Sequence, residues 1–213
     1  MSIRERIRAV KHLRNKYFIC VLENPNDIKN LATAIRNISA FGVEKLYLVG
    51  SVNLPHDFES SSSNKKLSNL SVGANKWVFV KYFKTTSECV EHLRKNLYTI
   101  AVTSPHQKGK KNVNLYEETF TQKRLAVWFG NEAKGISDEA INSADFCIQI
   151  SMGGIVESLN LGTSTGIILS YVGHQRLKYV YEHGKVRFKP HGLAKLKLQK
   201  LASSRRGEGE SNF

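Results

Sequence analysis

Cysteine is scarce in this 213-residue chain: Cys20, Cys89 and Cys147 are the only three. They lie far apart, each in or beside an apolar run. That spacing excludes a zinc-type ligand set and argues against a disulfide framework. Small buried thiols in a reduced, cytoplasmic setting are the expectation. No apolar run reaches the length of a membrane-spanning helix, and the charged opening, Met1 to Arg14, has no apolar core of a secretory signal. The seven histidines are scattered, and none stands at metal spacing from a second ligand type. Two phosphate-binding fingerprints are missing. Gly130 to Gly135 lacks the Gly-Lys-Ser/Thr ending of a phosphate loop, because Lys134 precedes Gly135. No Gly-x-Gly-x-x-Gly follows the first apolar run.

Acidic residues are also few, 18 against 32 Lys and Arg, for a formal net charge of +14. Residues 1–16 hold six Lys/Arg and one acid, and residues 174–206 hold ten and one, so these two ends account for the whole excess. A nearly neutral core with strongly basic ends points to a polyanion partner, nucleic acid before a membrane surface; solubilising tails are the bland alternative. An apolar content of 41% excludes global disorder. The chain reads as a basic segment 1–16, a core domain 17–182 and a basic extension 183–213, the last with a helix from about Leu193 that carries Leu196 and Leu201.

The core reads as alternating strands and helices. Tyr17–Leu22 is a buried strand. Ile28, Leu31, Ala32, Ile35 and Ile38 repeat at helical spacing and stop at Gly42, and Lys45–Val49 is the next strand. Residues 51–72 are polar, with room for one short helix. Strands follow at Trp77–Val80, Tyr98–Val102, Leu125–Phe129 and Phe146–Ile150, and helices at Thr86–Asn96, near Ser137–Asn142 and from about Leu159 into the 170s. Lys108 to Lys111 is a basic loop. Such β-α-β crossovers imply an α/β fold with a mostly parallel sheet flanked by helices.

Three strand-end loops carry polar residues, and the carboxyl ends of strands are where such sheets bind ligands. The first leads to Asn30 and Arg36. These are six apart, so they do not share one narrow stripe of a helix, and Arg36 read alone fits an ordinary solvated position. The second holds Asn131 and Glu132. The third holds Glu157, Ser158 and Asn160, where Ser and Asn fit helix caps. Gly162 and Gly166 follow with Thr163, Ser164 and Thr165 between them, each Gly costing roughly 1 kcal/mol against Ala inside a helix. A face built this way admits a ligand or a neighbouring backbone.

These residues carry a resemblance. Asn30-Leu-Ala-Thr-Ala-Ile-Arg36 with Phe41-Gly42, Phe129-Gly-Asn-Glu-Ala-Lys-Gly135 and Ile150-Ser-Met-Gly-Gly-Ile-Val-Glu-Ser-Leu-Asn160 resemble, in order and spacing, the three motif blocks of the SPOUT class of RNA methyltransferases, specifically the TrmH (SpoU) family of RNA ribose 2′-O-methyltransferases. Gly73-Ala-Asn-Lys-Trp77 and the Val-Phe-Val after it also resemble the subgroup that modifies guanosine 18 of tRNA. The resemblance implies a C-terminal deep trefoil knot, S-adenosylmethionine as cofactor, a homodimer, and RNA, tRNA foremost, as partner. Ribosomal RNA as substrate, or a non-catalytic RNA binder on the same fold, are the other readings. It implies functional roles for Asn30, Arg36, Glu132, Ser158 and Asn160, with Arg36 as general base or as an electrostatic stabiliser. It implies a cofactor site at Thr103, Phe129, Gly130, Ile150, Met152, Ser158 and Leu159. Glu157 adds a negative charge beside an expected RNA path.

Overall fold

The computed structural model of the chain describes residues 3–50, 61–109 and 111–183. Its centre is a sheet of seven strands: β1 (Asn15–Glu23), β2 (Val43–Val49), β3 (Phe79–Phe83), β4 (Thr99–Thr103), β5 (Asn112–Asn114), β6 (Leu125–Phe129) and β7 (Phe146–Gln149). Their order is β3-β2-β1-β6-β4-β7-β5, and every neighbouring pair is parallel. A parallel sheet covered on both faces demands strands that are apolar on both sides. β6 meets that demand in full, with all five residues of Leu125–Phe129 buried.

Helices cover both faces. The helices are α1 (Ile3–Val10), α2 (Ile28–Ala40), α3 (Ser61–Leu70), α4 (Thr86–Lys95), α5 (Asp138–Ser143) and α6 (Leu161–Glu182). On one face, Leu31, Ile35 and Ile38 of α2, Leu67 of α3 and Ile168, Leu169 and Val172 of α6 pack against Phe18, Cys20, Leu22, Val127 and Phe129. On the other, Cys89 and Leu93 of α4 and Ala140 of α5 pack against Ile19, Val21, Ile100, Val102 and Trp128. Each fully buried Leu or Ile contributes about 1.5–3 kcal/mol, so these two layers set the fold. All three cysteines are free and buried, as their apolar surroundings foretell.

Local capping explains the helix starts. The Asp27 side chain accepts from the Lys29 amide at α2, Thr85 from Glu88 at α4, and Ser137 from Ala140 at α5. Two expectations change. Trp77 is not in a strand: it ends a 3-10 turn, Ala74–Trp77, held by the Arg14 guanidinium on the Trp77 carbonyl, and β3 begins only at Phe79. The basic loop at Lys108 runs into β5, whose Asn-Val-Asn holds a single buried residue, too few for a periodicity signal. Residues 51–60 of the polar stretch and the helix expected from Leu193 lie outside the described residues. By contacts the chain divides into residues 1–178 and 179–213, and the last turn of α6 falls in the second unit. Among the described residues, no helix is long and apolar enough to cross a membrane.

Candidate functional site

A cavity of about 340 Å³ opens at the carboxyl ends of β4, β6 and β7, within the roughly 300–1,000 Å³ of small-molecule sites. Its walls come from four segments: Thr103–Lys108 after β4, Phe129–Ile136 after β6, Ile148–Leu159 after β7, and Leu161, Ser164 and Ile168 on α6. Thr103, Phe129, Gly130, Ile150, Met152, Ser158 and Leu159 all lie in this wall. Phe129, Ile148, Ile150, Met152 and Leu161 make part of the lining apolar. His106, Lys108 and Lys134 bring basic groups to it.

The loop after β6 is a closed turn. The Asn131 amide donates to the Gly135 carbonyl at 2.8 Å, and the Gly135 amide returns to the Asn131 carbonyl at 2.9 Å. Gly130 is required here, since a Cβ on it would lie 2.3 Å from the Gly135 carbonyl carbon. The buried Asn131 side chain accepts from the Ala133 and Lys134 amides and donates to the Asn24 carbonyl at 2.6 Å. Asn24 sits at φ 47, which Asn tolerates, and this conformation turns the end of β1 toward the loop. Asn131 therefore fixes the loop that presents Glu132.

Glu132 heads a chain of hydrogen bonds that joins three elements. Asn30 Nδ2, on α2, donates to Glu132 Oε1 at 2.9 Å. Asn160 Nδ2 donates to Asn30 Oδ1 at 2.9 Å. Asn160 Oδ1 then accepts from the Gly162 amide at 2.8 Å, capping α6. The structure thus brings Asn30 together with Glu132 and Asn160, which lie 102 and 130 residues away in sequence. Asn160 is the cap of α6. Ser158 is not a cap, because the helix begins at Leu161, and it lies instead in the cavity wall.

Arg36 stands apart. It lies on the solvent stripe of α2 with Lys29 and Ala40, all exposed, and it pairs with no carboxylate of the described residues. The neighbouring stripe, Asn30, Thr33 and Asn37, packs on α6. Asn37 Nδ2 donates to the Gly162 carbonyl at 2.8 Å and to Thr165 Oγ1 at 3.0 Å. A Cβ on Gly162 would meet Thr33 Cγ2 at 2.7 Å, and one on Gly166 would meet Asn37 Nδ2 at 3.3 Å. The small residues of α6 therefore admit α2 of the same chain. α6 carries two faces at once: Leu161, Ser164 and Ile168 toward the cavity, Gly162 and Gly166 toward α2.

Sequence reading passes over Asn37 and Glu23, and it places Asn131 only among the polar residues of a strand-end loop. Asn37 has a signal, for it lies seven residues from Asn30 and so returns to its stripe. Asn131 has one in the flanking Gly130 and Gly135. Glu23 has none beyond its type: it ends β1 buried, and its carboxylate accepts from Thr86 Oγ1 at 2.6 Å and Ser137 Oγ at 2.7 Å, tying the starts of α4 and α5 to the strand. Behind the Ser104–Lys108 loop, burial pushes the Cys147 thiol up to about 11, against nearby groups at Lys108 and Ser104, which leaves it an inert packing group.

The model of the SpoU rRNA Methylase family matches residues 17–170 of this chain. A tRNA (guanosine(18)-2′-O)-methyltransferase of Thermus thermophilus is 30% identical over 175 residues, which cover 82% of this chain and 84% of that protein. One of the same name from Borreliella burgdorferi is 26% identical over 77% of this chain and 69% of its own length. Among solved structures, the A. aeolicus TrmH/SpoU tRNA modifying enzyme superposes with a TM-score of 0.67 at 27% identity, covering 83% of this chain and 85% of that one.

Proposed function

This chain belongs to the SpoU rRNA methylase family, and from that premise we propose that it transfers a methyl group from S-adenosylmethionine to a ribose 2′-hydroxyl of RNA, at guanosine 18 of tRNA. The observation that carries the reading is the Glu132–Asn30–Asn160 chain beside a half-apolar cavity at the strand carboxyl ends. The relatives that act on guanosine 18 direct the choice of RNA.

The cavity suits the cofactor. Phe129, Ile150, Met152 and Leu159 offer apolar walls for a flat nucleoside. Among the described residues, the amides of Ser151 to Leu159 make no backbone–backbone hydrogen bond, so this irregular loop offers main-chain donors. Thr103, Gly130 and Ser158 complete the set that would hold the group. When bound, it supplies an electrophilic methyl carbon on a sulfonium, whose leaving group departs as a neutral thioether and needs no acid.

The protein's own task is to place and activate the hydroxyl. Asn30 has both ends of its amide engaged, so its orientation is set by Glu132 on one side and Asn160 on the other. This couples the β6 loop to the start of α6 and holds the cavity mouth in one arrangement. Ser158, in the wall, is offered to the ribose. Arg36, with no carboxylate partner among the described residues, is offered to the phosphate next to that ribose and to the charge that develops on the oxygen. Arginine stays protonated in proteins, so stabilisation suits it better than proton abstraction.

The wider reading is a homodimer in the cytoplasm, with a trefoil knot in its C-terminal part and basic flanks, 1–16 and 183–213, that contact RNA around a catalytic core, 17–182. The insertion of β6 between β1 and β4, and of β7 between β4 and β5, supports the knot. The test is methyl incorporation into a tRNA transcript, with ribose-methylation mapping. Methylation at guanosine 18 is expected, and Arg36→Ala should abolish it while calorimetry still detects S-adenosylmethionine binding. Near-normal turnover of that variant would remove Arg36 from the mechanism. Failure of the native chain to bind the cofactor would refute the function.

A further inference from the structure

Away from the cavity, at the β3 edge of the sheet, basic and aromatic side chains converge on one face. Residues 61–87 hold five lysines and no Asp or Glu. In the parallel pairing of β2 with β3, Lys45 stands opposite Phe79 and Tyr47 opposite Lys81, and opposed residues share a face of the sheet. Helix α4 brings His92 onto the same face. The Lys81 ammonium lies 3.3 Å from its Nδ1 and 3.5 Å from its Nε2, and the Tyr47 hydroxyl lies 3.4 Å from Nε2. Burial first, then Lys81, Lys45 and Lys95, hold the proton affinity of His92 below its ordinary value. Among the described residues, none of these three lysines nor His92 pairs with a carboxylate. Beside them Phe79 is 64% exposed, and Tyr82 and Trp77 on the same segment are 46% and 37% exposed.

Cations gathered with no carboxylate at ion-pair distance among the described residues are a site for an anion. An exposed aromatic next to it suits a base, because single-stranded segments bind through phosphate neutralisation combined with stacking. Lysines alone would serve to blunt a free sheet edge; they do not account for Phe79. We propose that this face docks a segment of RNA outside the nucleotide that enters the cavity, with Phe79 stacked on a base and Lys45, Lys81 and Lys95 on phosphates. The identity of the partner rests on the RNA-methyltransferase reading; the surface itself does not.

The test compares the full chain with Lys45→Gln/Lys81→Gln/Lys95→Gln, with Lys95→Gln alone and with Phe79→Ala. Binding of a fluorescent tRNA transcript is followed by anisotropy between about 50 and 200 mM salt. The triple variant should lose roughly tenfold or more in affinity, and its slope of log K against log salt should flatten by about 2, near 0.7 per lost contact. Lys95→Gln, a surface change outside the His92 contacts, should flatten it by about 0.7 and guards against misfolding of the triple variant. Phe79→Ala should weaken binding about tenfold with the slope unchanged. In methyl transfer, KM for RNA should rise with these losses while kcat at saturating RNA and cofactor affinity stay constant. Unchanged affinity and slope in all variants would overturn the proposal, including the case where a protein rather than RNA occupies the β3 edge. If the native chain does not methylate RNA but the substitutions still weaken transcript binding, the docking surface stands and the function falls.

Discussion

Replacing Gly162 by alanine tests how α2 and α6 determine the site. The new Cβ would stand 2.7 Å from Thr33 Cγ2, 3.0 Å from Thr33 Cβ and 3.1 Å from Asn160 Oδ1. Carbon atoms prefer about 3.5–4.0 Å, so α2 and α6 must part by the better part of an ångström. They cannot do so freely, because Asn37 binds the Gly162 carbonyl and Thr165 Oγ1, each bond contributing about 0.5–1.5 kcal/mol. Overpacking costs about 1–3 kcal/mol, and the better helix propensity of alanine offsets up to about 1 kcal/mol. The expected net loss is about 1–2 kcal/mol, read from urea unfolding followed by fluorescence of the buried Trp128. Thr33→Ser removes the offending methyl and keeps the hydroxyl that donates to the Lys29 carbonyl. The double variant should therefore recover, with a coupling of about 1–2 kcal/mol. Gly166→Ala, whose nearest neighbour is the Asn37 amide at 3.3 Å, should be close to neutral. Equal stability of Gly162→Ala and the native chain, or zero coupling to Thr33, would refute the helix–helix account of the small residues.

Asn160→Ala should cost about 1–2 kcal/mol through the lost cap, whereas Asn160→Asp keeps the acceptor for the Gly162 amide but loses the donor to Asn30; Asp should preserve stability and still lower methyl transfer, and full activity of Asp would separate Asn30 from the chemistry. The three thiols should resist iodoacetamide at about pH 8 until the chain unfolds, since burial pushes Cys89 up to about 12 and Cys147 up to about 11, and raises Cys20 further; rapid labelling of the native protein would contradict the packing of both layers. His92 titrates below the usual value of about 6.5, by burial and then by Lys81. The unfolded chain thus takes up more protons in that window, and stability should fall as pH drops below about 6.5. His92→Gln should flatten that fall, and an NMR titration of His92 at or above its ordinary value would show the sign to be wrong.

Much of the site was legible because its signals are local. Apolar runs mark β1, β4 and β6, helical spacing marks α2, and Asn160 announces a cap by its type and place. Asn30, Glu132 and Asn160 are identifiable as polar residues at strand-end loops, and their meeting is a consequence of parallel strands ending together. What escaped detection has weak local signal. β5 shows one apolar residue among two asparagines, and its strand character comes from pairing with β7. Trp77 has strand-like composition, and Arg14 holds its carbonyl in a 3-10 turn.

The sequence by itself determined the types of most elements, the buried thiols, the basic ends and the residues available for chemistry, because each depends on side-chain character or on spacing within one element. Only the tertiary structure decided the strand order, the sharing of Asn30 between Glu132 and Asn160, and the partner of Gly162 and Gly166. The last two depend on contacts between segments more than 100 residues apart, and the first on pairings between strands that are not neighbours in sequence. No local periodicity records such contacts; they arise when β6 and β7 take their places in the sheet and α6 is laid against α2.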